Sequence, residues 1–78
     1  MTLFLIEYDR SRGKIVSILE FDEADSKLAE QARLEMELDL NRRGLEREVV
    51  LLEAKNEMAL RRTHRRYFED LANLVTVI

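Results

Sequence analysis

The chain contains a single histidine, His64, and histidine is the residue type that most often exchanges protons near neutral pH. A general base must lie within hydrogen-bond reach of a nucleophile or a carboxylate. Thr63 precedes it, but successive residues of a helix point about 100° apart, so this hydroxyl is directed away from the imidazole. We therefore interpret His64 as a residue at the edge of the core, bonded to the backbone or to a tyrosine, and we predict no enzymatic activity.

Carboxylates are crowded between residues 30 and 39. Glu35 and Asp39 are one helical turn apart and could supply oxygen ligands to Mg²⁺ or Ca²⁺. The sequence offers no third ligand in register and no Asp-rich loop, and it has no cysteine to bind zinc. Gly13 and Gly44 are isolated, which excludes a glycine-rich phosphate loop. We interpret these carboxylates as solvated helix charges and predict neither a metal nor a cofactor.

Four arginines fall within six residues of the second half of the chain: Arg61, Arg62, Arg65 and Arg66. They could bind phosphates, and Tyr67 beside them could stack on a base. Two observations weigh against nucleic acid. The formal net charge of the chain is −3, and acidic residues lie one helical turn from three of the arginines, where they can form ion pairs. We therefore prefer a solvated basic face and keep nucleic-acid binding as the alternative function.

The elements that position these residues begin with a predicted β-hairpin. Residues 2–8 and 14–21 are rich in Leu, Ile, Phe and Val. Between them, Asp9 and Ser11 can form the hydrogen bonds of a turn, and Gly13 can take a positive φ. The pattern predicts two antiparallel strands, Thr2–Tyr8 and Lys14–Phe21.

The hydrophobic period changes at Asp22, which is a suitable N-cap. Residues 23–43 contain neither Gly nor Pro and favour a helix, which Gly44 is placed to end. At about 100° per residue, the apolar positions of this helix form one broad face and a second stripe beside it. The broad face comprises Ala24, Leu28, Ala32, Met36 and Leu40, and the stripe comprises Leu34 and Leu38.

A third strand and a second helix follow. The apolar run at 49–52 predicts a strand within residues 45–54, and Asn56 is a suitable N-cap for a helix over 57–73. Residues 75–78 still fit the helix face in part, but their β-branched side chains favour a short strand or an irregular segment. The order β-β-α-β-α with a right-handed crossover predicts an α+β fold in a single domain, residues 1–78. Its sheet is three-stranded and mainly antiparallel, in the order 2-1-3, with two helices packed on one face.

All three strands are apolar on both sides, whereas a sheet with one wet face alternates apolar and polar residues. Two helices on one face would leave the other face as a larger apolar patch than monomers usually expose. One interpretation is that Glu7, Lys14, Glu20 and Glu53 break up this patch. We instead predict that a second copy covers it, through the sheet or through the Leu34/Leu38 stripe. The predicted self-association residues are Leu3, Leu5, Val16, Ile18, Leu34, Leu38, Val50 and Leu52.

These observations favour a small, non-enzymatic protein–protein interaction module that self-associates as a homodimer, with another protein as a further partner. No apolar run approaches the length of a membrane span, and the first one lacks the form of a signal-peptide core. We therefore expect no membrane partner and a cytoplasmic, bacterial protein.

Overall fold

The first two strands form the predicted hairpin. In the computed structural model, which describes residues 1–68, β1 (Thr2–Asp9) pairs antiparallel with β2 (Lys14–Asp22). The Asp9 carboxylate accepts hydrogen bonds from the Ser11 N–H at 3.1 Å and from the Ser11 hydroxyl at 2.7 Å. Gly13 has a φ of 66°, a conformation that costs an L-residue roughly 1–2 kcal/mol. The loop residues therefore close the hairpin as their types suggest.

The third strand, β3 (Glu48–Ala54), pairs antiparallel with β1 on the side opposite β2. The strand order is β2-β1-β3, which confirms the predicted α+β fold and its sheet. On β2, Val16 is an extra residue, because Glu7 pairs with Ser17 whereas Tyr8 pairs with Ile15. Such a β-bulge bends an edge strand and interrupts the alternation of its side chains.

The first helix begins later than predicted. Asp22 caps a 3₁₀ turn (Glu23–Asp25) by accepting a hydrogen bond from the Glu23 N–H at 3.0 Å. Only after this turn does α1 (Ser26–Arg42) begin. The predicted cap is therefore present, but it starts a tighter turn that leads into the α-helix.

The end of α1 agrees with the prediction. Gly44 has a φ of 69°, and the Leu45 N–H donates to the Leu40 carbonyl at 2.9 Å. Together with the Gly44 N–H, which donates to the Asn41 carbonyl at 3.1 Å, this makes a Schellman motif. The motif satisfies carbonyl groups that a helix end otherwise leaves unpaired.

The second helix is shorter than predicted. In α2 (Glu57–Thr63) the Ala59 N–H donates to the Asn56 side chain at 2.8 Å, as expected of the N-cap. The helix ends at His64, whose φ of −122° and ψ of 52° are not helical, and a 3₁₀ turn (Arg65–Tyr67) follows. The prediction of one continuous helix is wrong at this point. Its remainder from 69 to 73, and the segment 75–78, lie outside the described residues.

Contacts of Tyr67 and Thr63 account for this early end. Tyr67 is 6 % exposed, its ring packs edge-on against Tyr8 at a centroid distance of 5.1 Å, and its hydroxyl donates to Glu48 at 2.9 Å. The Thr63 hydroxyl donates to the Ala59 carbonyl at 2.9 Å, a local bond that bends helices. The tertiary contacts of Tyr67, together with this local bond, outweigh the propensity of a short helix to continue.

One face of the sheet, which we call the α2 side, holds the main core. Phe4, Ile6 and Leu60 have no exposed surface and form a cluster with Ala54. Burying each large side chain stabilises the fold by about 1.5–3 kcal/mol. The side chains packed around this cluster are Tyr8, Ile15, Ile18, Val50, Leu52, Ala59 and Phe68.

The opposite face, which we call the α1 side, is also covered. Leu5 lies between Phe4 and Ile6, so it points to this other face, and it too has no exposed surface. The helix α1 contacts all three strands, yet none of its described side chains belongs to the α2-side cluster or packs against it. Its own buried residues are Ala29 and Leu40.

The two helices therefore lie on opposite faces of the sheet, and this differs from the predicted placement of both on one face. The physical reason is that the hydrophobic period of a helix shows which of its residues are buried, but not which side of a sheet receives them. With strands that are apolar on both sides, one helix on each side buries more of the sheet than two on the same side.

Candidate functional site

Two leucines lie on the solvent side of α1, one helical turn apart. Leu34 is 55 % exposed and Leu38 is 53 % exposed. The same helix buries Ala29 and Leu40. Leu38 is nine residues from Ala29, which places the two side chains about 180° apart around the helix. The leucine pair thus faces away from the sheet.

These leucines belong to a row of four residues along one side of α1, which we call the outer seam and which comprises Gln31, Leu34, Leu38 and Asn41. Its members are all exposed. They follow one another at spacings of three, four and three residues, which is the spacing at which one helix packs along another. The shape of the outer seam therefore suits a second helix.

Glutamates flank the middle of the outer seam. The Gln31 side chain donates to Glu35 at 3.3 Å, and Arg33 lies 3.5 Å from Glu30 and 4.0 Å from Glu37. Ion pairs between exposed groups contribute about 0–1 kcal/mol each, so they leave these glutamates able to exchange partners. The leucine pair is consequently bordered by acidic groups on both flanks.

The residues predicted to self-associate are divided among several places. Leu3 and Leu5 point to the α1 side, where Leu5 is fully buried. Val16, the bulge residue at the sheet edge, is 47 % exposed. Half-buried on the α2 side, against its cluster, are Ile18, Val50 and Leu52. The sheet residues do not share one surface, and each sheet face has a helix packed on it, whereas the homodimer prediction assumed one open face. Of the predicted set, Leu34 and Leu38 remain together and exposed.

The arginines of the alternative function are partly engaged within the chain. Arg61 donates to Glu57 at 3.0 Å, one of the expected ion pairs, and its guanidinium lies 4.5 Å from the centre of the Phe68 ring in a cation–π contact. Arg62 and Arg65 are exposed, and Arg65 also takes part in an intramolecular interaction. The side chain of Arg66 lies outside the described part. These contacts resemble those of a solvated helix face more than those of a free phosphate-binding surface.

A partly buried ion pair joins β1 to the segment before β3. The Arg47 guanidinium donates to the Glu7 carboxylate, and these side chains are 24 % and 10 % exposed. This pair was not predicted from the sequence, because 40 residues separate the two positions. One signal was present: Glu7 is a charged residue inside an otherwise apolar strand, and such residues are seldom buried without a partner.

A groove of about 980 Å³ lies where the end of α1 meets the β1–β2 loop, and charges of both signs line it. Asp9 is one of its lining residues. A hydrogen bond from the Ser11 hydroxyl lowers the pKa of Asp9 below its usual value of 3.8, with help from the Arg12 N–H and the positive charge of Arg47. These groups hold the loop in place.

The other candidates from the sequence remain apart. Within residues 1–68, no three acidic or histidine side chains come together where they could hold a metal ion. Asp39 pairs with Arg43 at 3.1 Å, whereas Glu35 accepts from a glutamine. His64 is half-buried, and its backbone N–H donates to the Leu60 carbonyl at 2.9 Å. In the same stretch of chain, no helix has the length and apolar character needed to cross a bilayer.

Comparison with known proteins was made against family models, curated proteins and solved structures. None of them matches. The surfaces of the chain are therefore the guide to its function. Among the described residues, the outer seam is a surface on which the fold leaves two aligned leucines exposed.

Proposed function

We propose that the chain is a small protein–protein interaction module that docks a partner on the outer seam of α1. The observation that carries the proposal is the exposure of Leu34 and Leu38 on a helix whose opposite side already packs on the sheet. Isolated exposed apolar residues, such as Met58, need no explanation. In contrast, two leucines one helical turn apart form an apolar stripe on one side of the helix, and this alignment supports the proposal.

The expected gain from covering the pair is modest. Burying a whole leucine side chain contributes about 1.5–3 kcal/mol, so burying the exposed halves of Leu34 and Leu38 contributes a total of about 1.5–3 kcal/mol. A stable interface of standard size covers roughly 800 Å² per partner, which two leucines alone do not provide. The flanking polar residues must therefore take part. The binding that we propose is reversible and of moderate affinity.

The proposal contains no catalytic step and no cofactor. The polar contacts of Glu7 with Arg47 and of Asp9 with Ser11 connect parts of the fold to one another. The module is proposed to act in the cytoplasm. A second copy of the chain remains one of the partners that the experiment distinguishes.

The proposal is tested by placing a photoreactive amino acid at position 38, and at position 58 as a matched control, in cells that express the chain. Met58 is 68 % exposed, so both positions tolerate the change without loss of core packing. We expect position 38 to crosslink to a discrete partner and position 58 not to do so. The variant Leu34→Gln should remove the crosslink from position 38. A crosslinked product of twice the chain mass identifies a second copy. Identical products from the two positions, or products that Leu34→Gln leaves unchanged, would reject the docking surface.

A further inference from the structure

Along the outer side of α1, basic residues lie near the two ends of the helix and acidic residues lie between them. Lys27 lies near its start and Arg42 at its end, and both are exposed. Between them the seam is flanked by three glutamates, which are Glu30, Glu35 and Glu37. Arg33 offsets one of these negative charges through its contacts at 3.5 and 4.0 Å. The middle of the surface, where the leucines lie, therefore has a net negative border.

From this pattern we infer that the partner of the outer seam is an amphipathic helix that carries basic residues beside its apolar stripe. The inference rests on the docking surface proposed above and names the chemistry of its occupant. A helix fits because the seam has the three- and four-residue spacing of helix–helix packing. Basic flanks fit because complementary charges across an interface favour encounter and fix the register.

A second copy of the chain fits this pattern poorly. If two copies pack through Leu34 and Leu38 of their α1 helices, in parallel or antiparallel, the glutamates that flank the leucines of one copy face those of the other copy. Like charges that face each other across an interface are unfavourable. Sliding one helix along the other by a heptad separates these charges, but it moves the leucines onto polar positions such as Asn41. The seam therefore favours a partner of opposite charge over self-pairing.

The experiment uses two fluorescent helical peptides with identical leucine stripes, one flanked by lysines and one by glutamates. Each is titrated with the full chain at about 50 mM and about 500 mM salt, and anisotropy gives the Kd. We expect the lysine peptide to bind about tenfold more tightly at low salt, equivalent to about 1.4 kcal/mol. The preference should shrink at high salt, where charges more than a few ångströms apart are screened.

Variants of the chain assign this preference to the seam. The double variant Leu34→Gln/Leu38→Gln is expected to lose binding of the lysine peptide. Reversal of two flanking charges, Glu35→Lys/Glu37→Lys, is expected to transfer the preference to the glutamate peptide. The matched control is Glu20→Lys/Glu53→Lys, which makes the same change in charge at exposed positions on the sheet and should keep the original preference.

The possible results separate this inference from the proposed function. Equal affinity for both peptides, lost in the leucine variant, overturns the basic partner but keeps the docking surface. Dimers of the chain that depend on the leucines, with neither peptide bound, also overturn it and identify a second copy as the occupant. If the leucine variant changes neither peptide binding nor crosslinking from position 38, both the inference and the docking surface fail.

Discussion

Removal of the Arg47 side chain should destabilise the fold strongly, although Arg47 lies in the connection between α1 and β3. Its partner Glu7 lies on the central strand, next to the fully buried Ile6, and the Glu7 side chain is 10 % exposed. Breaking a buried ion pair by removing one partner costs about 3–5 kcal/mol, because a charge is left without compensation in a poorly hydrated site. Arg47 is 24 % exposed, so we expect Arg47→Met to cost about 3 kcal/mol, at the lower end of this range.

For a domain of this size, a loss of 1 kcal/mol lowers Tm by about 4–8 °C, so Arg47→Met should lower it by about 12–24 °C. Urea unfolding followed by circular dichroism measures the free-energy change directly. The double variant Glu7→Met/Arg47→Met should recover most of the loss, because apolar residues of similar volume often replace a buried pair at little cost.

The matched control for this prediction is Arg43→Met. Arg43 pairs with Asp39 at 3.1 Å, but their side chains are 54 % and 53 % exposed, so the expected loss is under about 1 kcal/mol. If Arg47→Met and Arg43→Met destabilise the fold equally, water screens the Glu7–Arg47 pair and the argument from burial is refuted.

Three smaller effects are expected in the loops and turns. Gly44→Ala should lower the unfolding free energy in urea by about 1–2 kcal/mol. A Cβ there would meet nothing within 4 Å, so the positive φ is the whole cause, and an equal loss in Gly44→Asn would contradict this. Tyr67→Phe should cost about 1–3 kcal/mol by the same assay, because the Glu48 carboxylate loses a donor; a cost near zero would show that water replaces the hydroxyl. Because the pKa of Asp9 is lowered on folding, its carboxylate stabilises the fold above pH 3.8, and this contribution disappears as the pH falls through the folded value. The difference in Tm between wild type and Asp9→Asn should therefore shrink on acidification, and a difference that stays constant with pH would refute this assignment.

Local signals in the sequence were sufficient for the sheet and for most element ends. The Asp9–Gly13 loop predicted the hairpin because its residue types supply the required hydrogen bonds and positive φ. Gly44 predicted the end of α1 for the same kind of reason. The strand order followed from the right-handed crossover, which makes β3 parallel to β2, together with the simplest placement of β3, which is beside β1. Each of these inferences depends on residues that are close in sequence or on a general rule of chain geometry.

What the sequence did not reveal depends on contacts between distant residues. The buried face of α1 is centred near Ala29, whereas the predicted face included Leu28, which is 58 % exposed. Leucines occur on several sides of this helix, so its period alone does not single out the buried side, and small alanines allow the closer approach to the sheet. Likewise, the early end of α2 depends on contacts of Tyr67 with β1 and β3, which no local pattern contains.

The placement of one helix on each sheet face changes the meaning of the remaining apolar surface. With both helices on one side, an open sheet face would be the natural place for a partner, and the leucines of α1 would be secondary. With one helix on each face, Leu5 and the cluster around Phe4 and Ile6 are buried within the chain, and Leu34 and Leu38 have no part in burying them. A lysine or glutamate at these positions would favour the helix about as well as leucine does and would be better hydrated. This argument supports the proposal that the leucines contact a partner, and the acidic border around them is the reason for inferring a basic helix as that partner.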